Sequence, residues 1–105
     1  MRPQVKRALE EFKAGLERIY GERLKGVVLF GSQARGDARW DSDVDIMIVL
    51  ADGADKALEE LRRKLAGEVS LRNDVVIASK AVREWDYLHS PHNVYEFARE
   101  EGVAI

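Results

Sequence analysis

The sequence predicts a small α/β domain, a sheet of three to four strands flanked by about four helices. Three observations carry that reading. Apolar residues near the start recur at alternating steps of four and three, which is a helical stripe. Two brief apolar runs, Val27 to Phe30 and Ile46 to Leu50, are too short for helices and are bounded by glycine or aspartate. Further helical patterns come after the second run, each with start and stop residues of its own.

The first helix rests on Val5, Leu9, Phe12, Leu16 and Ile19, with Pro3 suited to its first turn and Gly21 to its end. Val27-Val28-Leu29-Phe30 then forms a strand running into Gly31. The polar segment Ser32 to Ser42 holds a second glycine, Gly36, and reads as a turn with one helical turn inside it. Asp43 to Leu50 is the second strand. It is apolar on both faces after Asp45, so it should lie in the middle of the sheet.

Ala51 to Ala54 reads as a loop, after which Asp55 caps a helix with apolar face Leu58, Leu61 and Leu65. Arg62, Arg63 and Lys64 suit the negative end of that helix, and Gly67 is its expected stop. A third strand is expected over Asp74 to Ala78, starting as early as Val69. Ser79 would cap a short helix through Trp85. Ser90-Pro91 opens a last helix with Val94, Phe97 and Ala98, closed by Gly102. No repeat or linker divides the chain, so residues 1–105 are expected to form one domain.

Composition narrows the function classes. The chain has 105 residues, 46% hydrophobic and 34% charged, the balance of a folded soluble domain with one core. A net charge of −2 gives no general basic field, so stable direct binding of nucleic acid is not expected. Without cysteine there is no disulfide, zinc-thiolate site or thiol catalysis. The longest apolar run, Ile46 to Ala51, falls far short of the roughly 20 residues that cross a bilayer. No apolar signal-peptide core precedes it either, so a cytoplasmic protein with no membrane partner is expected.

The chemistry concentrates between Gly31 and Asp45. Successive residues of a strand face opposite ways, so Asp43 and Asp45 point to one side with Cα atoms roughly 6.5 Å apart. At an effective dielectric near 20, two such carboxylates repel by on the order of a few kcal/mol unless a cation sits between them. A hard divalent ion with oxygen ligands answers that need. Asp is also a poor strand residue, and placing two before the most apolar segment of the chain points to function rather than decoration.

Gly31-Ser32 supplies the anion side. Gly31 lets the backbone approach a bulky anion, and Ser32 adds a hydroxyl and an amide donor; alone, the pair would be an ordinary turn. Arg35 can fork onto phosphate oxygens of a triphosphate, whereas Arg39 reads as a solvated loop residue. Asp74, heading the next strand-like run, is the third carboxylate candidate: it would complete a metal shell and accept a proton from an attacking hydroxyl, or else be a turn residue after Asn73. Trp40 is expected to pack under the loop, and His89 and His92 to be surface residues. Trp85, Tyr87, Tyr95 and Phe97 are expected to close the core.

Assembled, these residues resemble the nucleotidyltransferase superfamily typified by DNA polymerase beta. Its signature is a Gly-Ser turn, a loop of about ten residues and Asp-x-Asp, with a third acid on a neighbouring strand. Gly31-Ser32-Gln33-Ala34-Arg35-Gly36 and Ser42-Asp43-Val44-Asp45-Ile46 look like the minimal nucleotidyltransferases, small prokaryotic proteins often encoded beside a HEPN-domain partner. Asn93 to Val103 is similar to the usual end of that group.

The resemblance implies a polymerase beta-like fold with a small mixed sheet. It implies two Mg²⁺ ions on Asp43 and Asp45, with Asp74 joining at the acceptor side, and a triphosphate held by Gly31 and Ser32. The reaction implied is attack of a hydroxyl on the α-phosphorus of ATP. It further implies a type VII-like antitoxin that places AMP on a tyrosine of a HEPN-type RNase toxin. Two alternatives stand beside it: a non-catalytic antitoxin acting by binding alone, and a nucleotidyltransferase that modifies antibiotics or other small molecules. Base preference, the number of nucleotides added and oligomeric state are not fixed by the residues.

Overall fold

A computed structural model describes residues 1–53 and 55–105. Helix α1 (Pro3–Tyr20) leads through a 3₁₀ turn (Gly21–Arg23) into β1 (Leu24–Phe30) and the single-turn helix α2 (Ser32–Arg35). Then come β2 (Val44–Leu50), α3 (Lys56–Asn73), β3 (Ile77–Arg83), α4 (Glu84–His89), α5 (Asn93–Glu101) and β4 (Val103–Ala104). The strand order is β3-β2-β1-β4. β2 runs parallel to β3, while β1 is antiparallel to both β2 and β4, so the sheet is mixed as expected.

The alternation of β2 divides the core. Val44, Ile46, Ile48 and Leu50 join Val5, Phe12, Leu16 and Val69 under α1 and α3. Met47 and Val49 face the other way, against Val28, Val82 and Ala98, with Tyr87, Val94 and Tyr95 of α4 and α5 closing over them. Each such side chain contributes roughly 1.5–3 kcal/mol when fully buried. Every residue of β2 is buried except Asp45. An acid that costs energy in a buried strand is thus held near the strand's start, on the α4 and α5 face.

Several boundaries differ from those the sequence suggests. α3 runs through Gly67 to Asn73, because Gly67 sits on its exposed side, where a helical glycine costs only about 1 kcal/mol. The last turn is secured by Asn73 Nδ2, which donates to Val69 O at 2.9 Å, and by Arg72, which donates to Glu11 at 3.0 Å. The helix buries Arg62, Ala66 and Val69 and leaves Leu61 half exposed, so its inner face is rotated from the leucine stripe. Asp55 caps its start as expected, accepting from Ala57 and Leu58 N–H.

The longer helix pushes the third strand later in the chain. β3 begins at Ile77 and includes Ser79, so no helix starts at that serine. Ser79 instead accepts from Arg62 Nη1 at 2.7 Å. The two-residue β4 is invisible to periodicity, which needs more residues to show. Trp40, Trp85 and Phe97 are 77%, 64% and 53% exposed and therefore are not core, although Tyr87 and Tyr95 do pack inward. Of the loop expected over Ala51–Ala54, Ala54 lies outside the described residues. Among the described residues no helix is long and apolar enough to cross a membrane.

Candidate functional site

Gly31 ends β1 with φ +73°, a backbone that side-chain-bearing residues rarely adopt. Its carbonyl accepts from Ala34 and Arg35 N–H at 3.1 Å each, which turns the chain directly into α2. Gly36, at φ +85°, ends that turn. The remaining loop is tied back on itself. Ser42 Oγ accepts from Arg39 N–H at 2.8 Å, and Ser42 O accepts from Gln33 Nε2 at 3.4 Å. These bonds return the chain to the sheet so that Asp43 immediately precedes β2.

The β1–β2 register pairs Phe30 with Asp45, which sets Gly31 beside the Asp45 carboxylate. The approach is close enough that a Cβ on Gly31 would run into Asp45 Oδ2. The Asp45 carboxyl is pushed above its ordinary value, chiefly by burial and then by the negative charge of Asp43. Arg35 pulls the other way, and Glu101 adds to the rise. A part-buried carboxylate within the field of a second acid is undersupplied with positive charge. Asp43 and Asp45 therefore fit a hard cation in donor chemistry and in electrostatics.

Arg35 points into the same place. Its Nη1 donates to Glu101 Oε1 at 3.0 Å and its Nε to Asp37 Oδ2 at 3.2 Å, and these two carboxylates raise the guanidinium's already high pKa. Gly31 N–H also donates to Glu101 Oε1, at 3.2 Å. The structure thus brings Gly31 against Asp45 and Arg35 onto the same Glu101 oxygen as Gly31, with Asp43 just ahead of β2 and Ser32 opening α2. It adds Glu101, to which the sequence patterns did not point. The available signal was an acid closing a helix, where the partial negative charge of the helix end disfavours it.

Asp74 is placed elsewhere. It caps α3 in the left-handed region at φ +53°, three residues before β3, and is exposed. It lines a cavity with Arg2, Trp40, Asp41, Ser42, Val75 and Val76, a set that contains neither Asp43 nor Asp45. The parallel register sets Ala78 opposite Asp45, so the neighbouring strand offers an alanine at that level. Among the described residues no three acids or histidines stand together as a ready-made metal cage. His89 and His92 are exposed as expected, and the His89 ring lies 4.8 Å from that of Trp85.

Comparison with known proteins gives these residues a context. The profile of the nucleotidyltransferase domain matches residues 9–105. A Methanocaldococcus jannaschii chain named as a candidate protein adenylyltransferase is 36% identical over 70 residues, 67% of this chain and 71% of that one. A chain in the crystal structure of a toxin-antitoxin with AMP-PNP superposes with a TM-score of 0.62 at 25% identity, covering 90% of this chain and 70% of that one. The complex of a tri-AMPylated Shewanella oneidensis HEPN toxin with its MNT antitoxin shares the fold at a TM-score of 0.56 and 22% identity, over 96% and 70% of the two chains. With the profile matching residues 9–105, the chain belongs to the nucleotidyltransferase domain family.

Proposed function

We propose that this nucleotidyltransferase moves AMP from ATP to a hydroxyl of a partner protein and so acts as the antitoxin of a HEPN-type toxin. The observation that carries the reading is the seating of Gly31 directly against Asp45, with Asp43 near enough for its negative charge to act on the Asp45 carboxyl. An anion cradle and a cation seat then share one wall, which is the arrangement a metal-bound triphosphate requires. The relative named for protein adenylylation and the toxin-antitoxin structure with AMP-PNP support ATP as donor and a protein as acceptor. AMP on a HEPN toxin is what the Shewanella complex carries; a tyrosine target and a type VII-like mode of silencing are carried over from the family resemblance of the sequence.

In this reading Asp43 and Asp45 would hold Mg²⁺, two ions by family analogy, whose charge would offset that building up on the α-phosphate and the leaving pyrophosphate. Gly31 N–H, Ser32 and Arg35 would hold the phosphate tail in line. The acceptor oxygen forms a bond to the α-phosphorus, the bond to the bridging oxygen of the β-phosphate breaks, and the hydroxyl proton passes to a base. The sequence pattern offers Asp74 as that acceptor-side acid, whereas its place at the end of α3, in a cavity lined by neither Asp43 nor Asp45, speaks against it. A cytoplasmic site of action belongs to the same proposal. The test is labelled AMP transfer to the co-purified partner, with Asp43→Asn/Asp45→Asn as the inactive control.

A second reading, neutralisation by binding alone, is favoured by one observation. Trp85, Leu88 and Phe97 are exposed apolar side chains of α4 and α5, the two helices that cover the sheet face of Met47 and Val49. Silencing of the partner by the double variant without ATP would decide for it.

A further inference from the structure

The donors that a triphosphate would use already hold an anion of the chain's own. Glu101 Oε1 accepts from Gly31 N–H at 3.2 Å and from Arg35 Nη1 at 3.0 Å, two donors converging on one oxygen as they would on a phosphate oxygen. We propose that Glu101 is an internal occupant of the phosphate seat, which the nucleotide must displace to bind. This rests on reading Gly31 and Arg35 as the triphosphate cradle.

Glu101 stands where a carboxylate is otherwise disfavoured. It is the last residue of α5, at the helix end that repels anions, and it shares the field of Asp45 with Asp43. Arg35 does not depend on it for a partner, since Asp37 also accepts from the guanidinium. Nor is Glu101 locked in place. Its side chain is 24% exposed, so it has water to move into. Gly102 comes next, then β4, which pairs with β1 through Val28↔Ala104 and Leu29↔Val103, with one further bond from Ile105 N–H to Val27 O at 3.0 Å. A two-residue edge strand belongs to the least stable part of a fold and offers little resistance to such a shift. Departure of Glu101 would therefore loosen the pairing of residues 103–105 and link nucleotide occupancy to the chain's last segment.

A seat that is filled most of the time lowers apparent affinity by the fraction of time it is open. Calorimetric titration of the full chain with AMP-PNP in Mg²⁺ tests this. Glu101→Ala should bind about tenfold more tightly than the wild type, the scale of a lost charge-assisted bond at a part-exposed site. Glu101→Gln, which keeps the shape and loses the charge, should shift the same way and guards against a folding artefact. Hydrogen exchange at residues 103–105 should quicken when AMP-PNP binds the wild type.

Unchanged or weaker binding by both Glu101 variants overturns the proposal. Arg35→Ala separates it from the reading beneath it. If Arg35→Ala weakens binding while the Glu101 variants match the wild type, the cradle stands and the internal occupant falls. If Arg35→Ala binds as the wild type does, or neither the wild type nor any variant binds AMP-PNP, the cradle falls and the proposal with it.

Discussion

Gly31, the residue after β1, and Asp45 of β2 adjoin and fit together because one of them has no side chain. The Cβ that any other residue would bring runs into Asp45 Oδ2, and the left-handed backbone at Gly31 adds strain of its own.

Gly31→Ala is accordingly expected to lose stability by about 1–3 kcal/mol through backbone strain and displacement of Asp45. Urea unfolding measures the first effect. AMP-PNP titration should show nucleotide binding lost together with it. A variant as stable and as tight-binding as the wild type would remove Gly31 from the site.

Asp45→Asn and Asp43→Asn should each lower AMP transfer by about a thousandfold, the consequence of withdrawing several kcal/mol of metal-borne stabilisation. Asp74→Asn should cost much less, because Asp74 caps α3 in a cavity apart from the pair. A loss of about a hundredfold or more, the scale of a missing general base, would restore Asp74 to the acceptor side. Single-turnover transfer of labelled AMP distinguishes these outcomes.

The contrast between Asp45 and Asp74 shows what the sequence could and could not disclose. The facing of Asp45 within β2 was legible because strand alternation is a local rule, and the burial of β2 followed from its continuous apolar run. Asp74 was not, because its place depends on where α3 stops. Gly67 looked like that stop, yet the helix continues to contacts of Asn73 and Arg72 with Glu11, 62 and 61 residues away in sequence. Glu101 reaches Gly31 across 70 residues, a closure that no local pattern announces. The aromatic residues misled for the opposite reason: their size argued for burial, whereas Trp40, Trp85 and Phe97 lie on the surface.

Asp45 should also cost the metal-free protein stability. Burial, Asp43 and Glu101 raise its carboxyl above the usual 3.8, with only Arg35 opposing. A folded-state pKa above the unfolded one means stability that is fully present below the unfolded value and lost as pH rises through the folded one. Asp45→Asn should therefore melt higher than the wild type near pH 7 in a chelator, with the gap closing below about pH 4. Melting curves across that range check it, and a variant that melts lower at neutral pH would contradict the assignment.

The link between α1 and α3 carries the opposite sign. Hydrogen bonds from Arg72 and then Asn73 hold the Glu11 carboxyl below its usual 4.5. That contribution is present above the unfolded pKa and lost as pH falls through the folded one, so Glu11→Gln should flatten the acid side of the stability profile below about pH 4.5. Being solvent-exposed, the pair should also weaken with added salt. An unaltered acid profile in the variant would show that the contact contributes nothing.

The most direct measurement is the intact mass of both chains after incubation of the protein with ATP, Mg²⁺ and its co-purified partner. Our account predicts one or more AMP additions on the partner with the wild type and none with Asp43→Asn/Asp45→Asn. Additions that persist with the double variant, or a partner left unmodified by the wild type while AMP-PNP still binds, would contradict it.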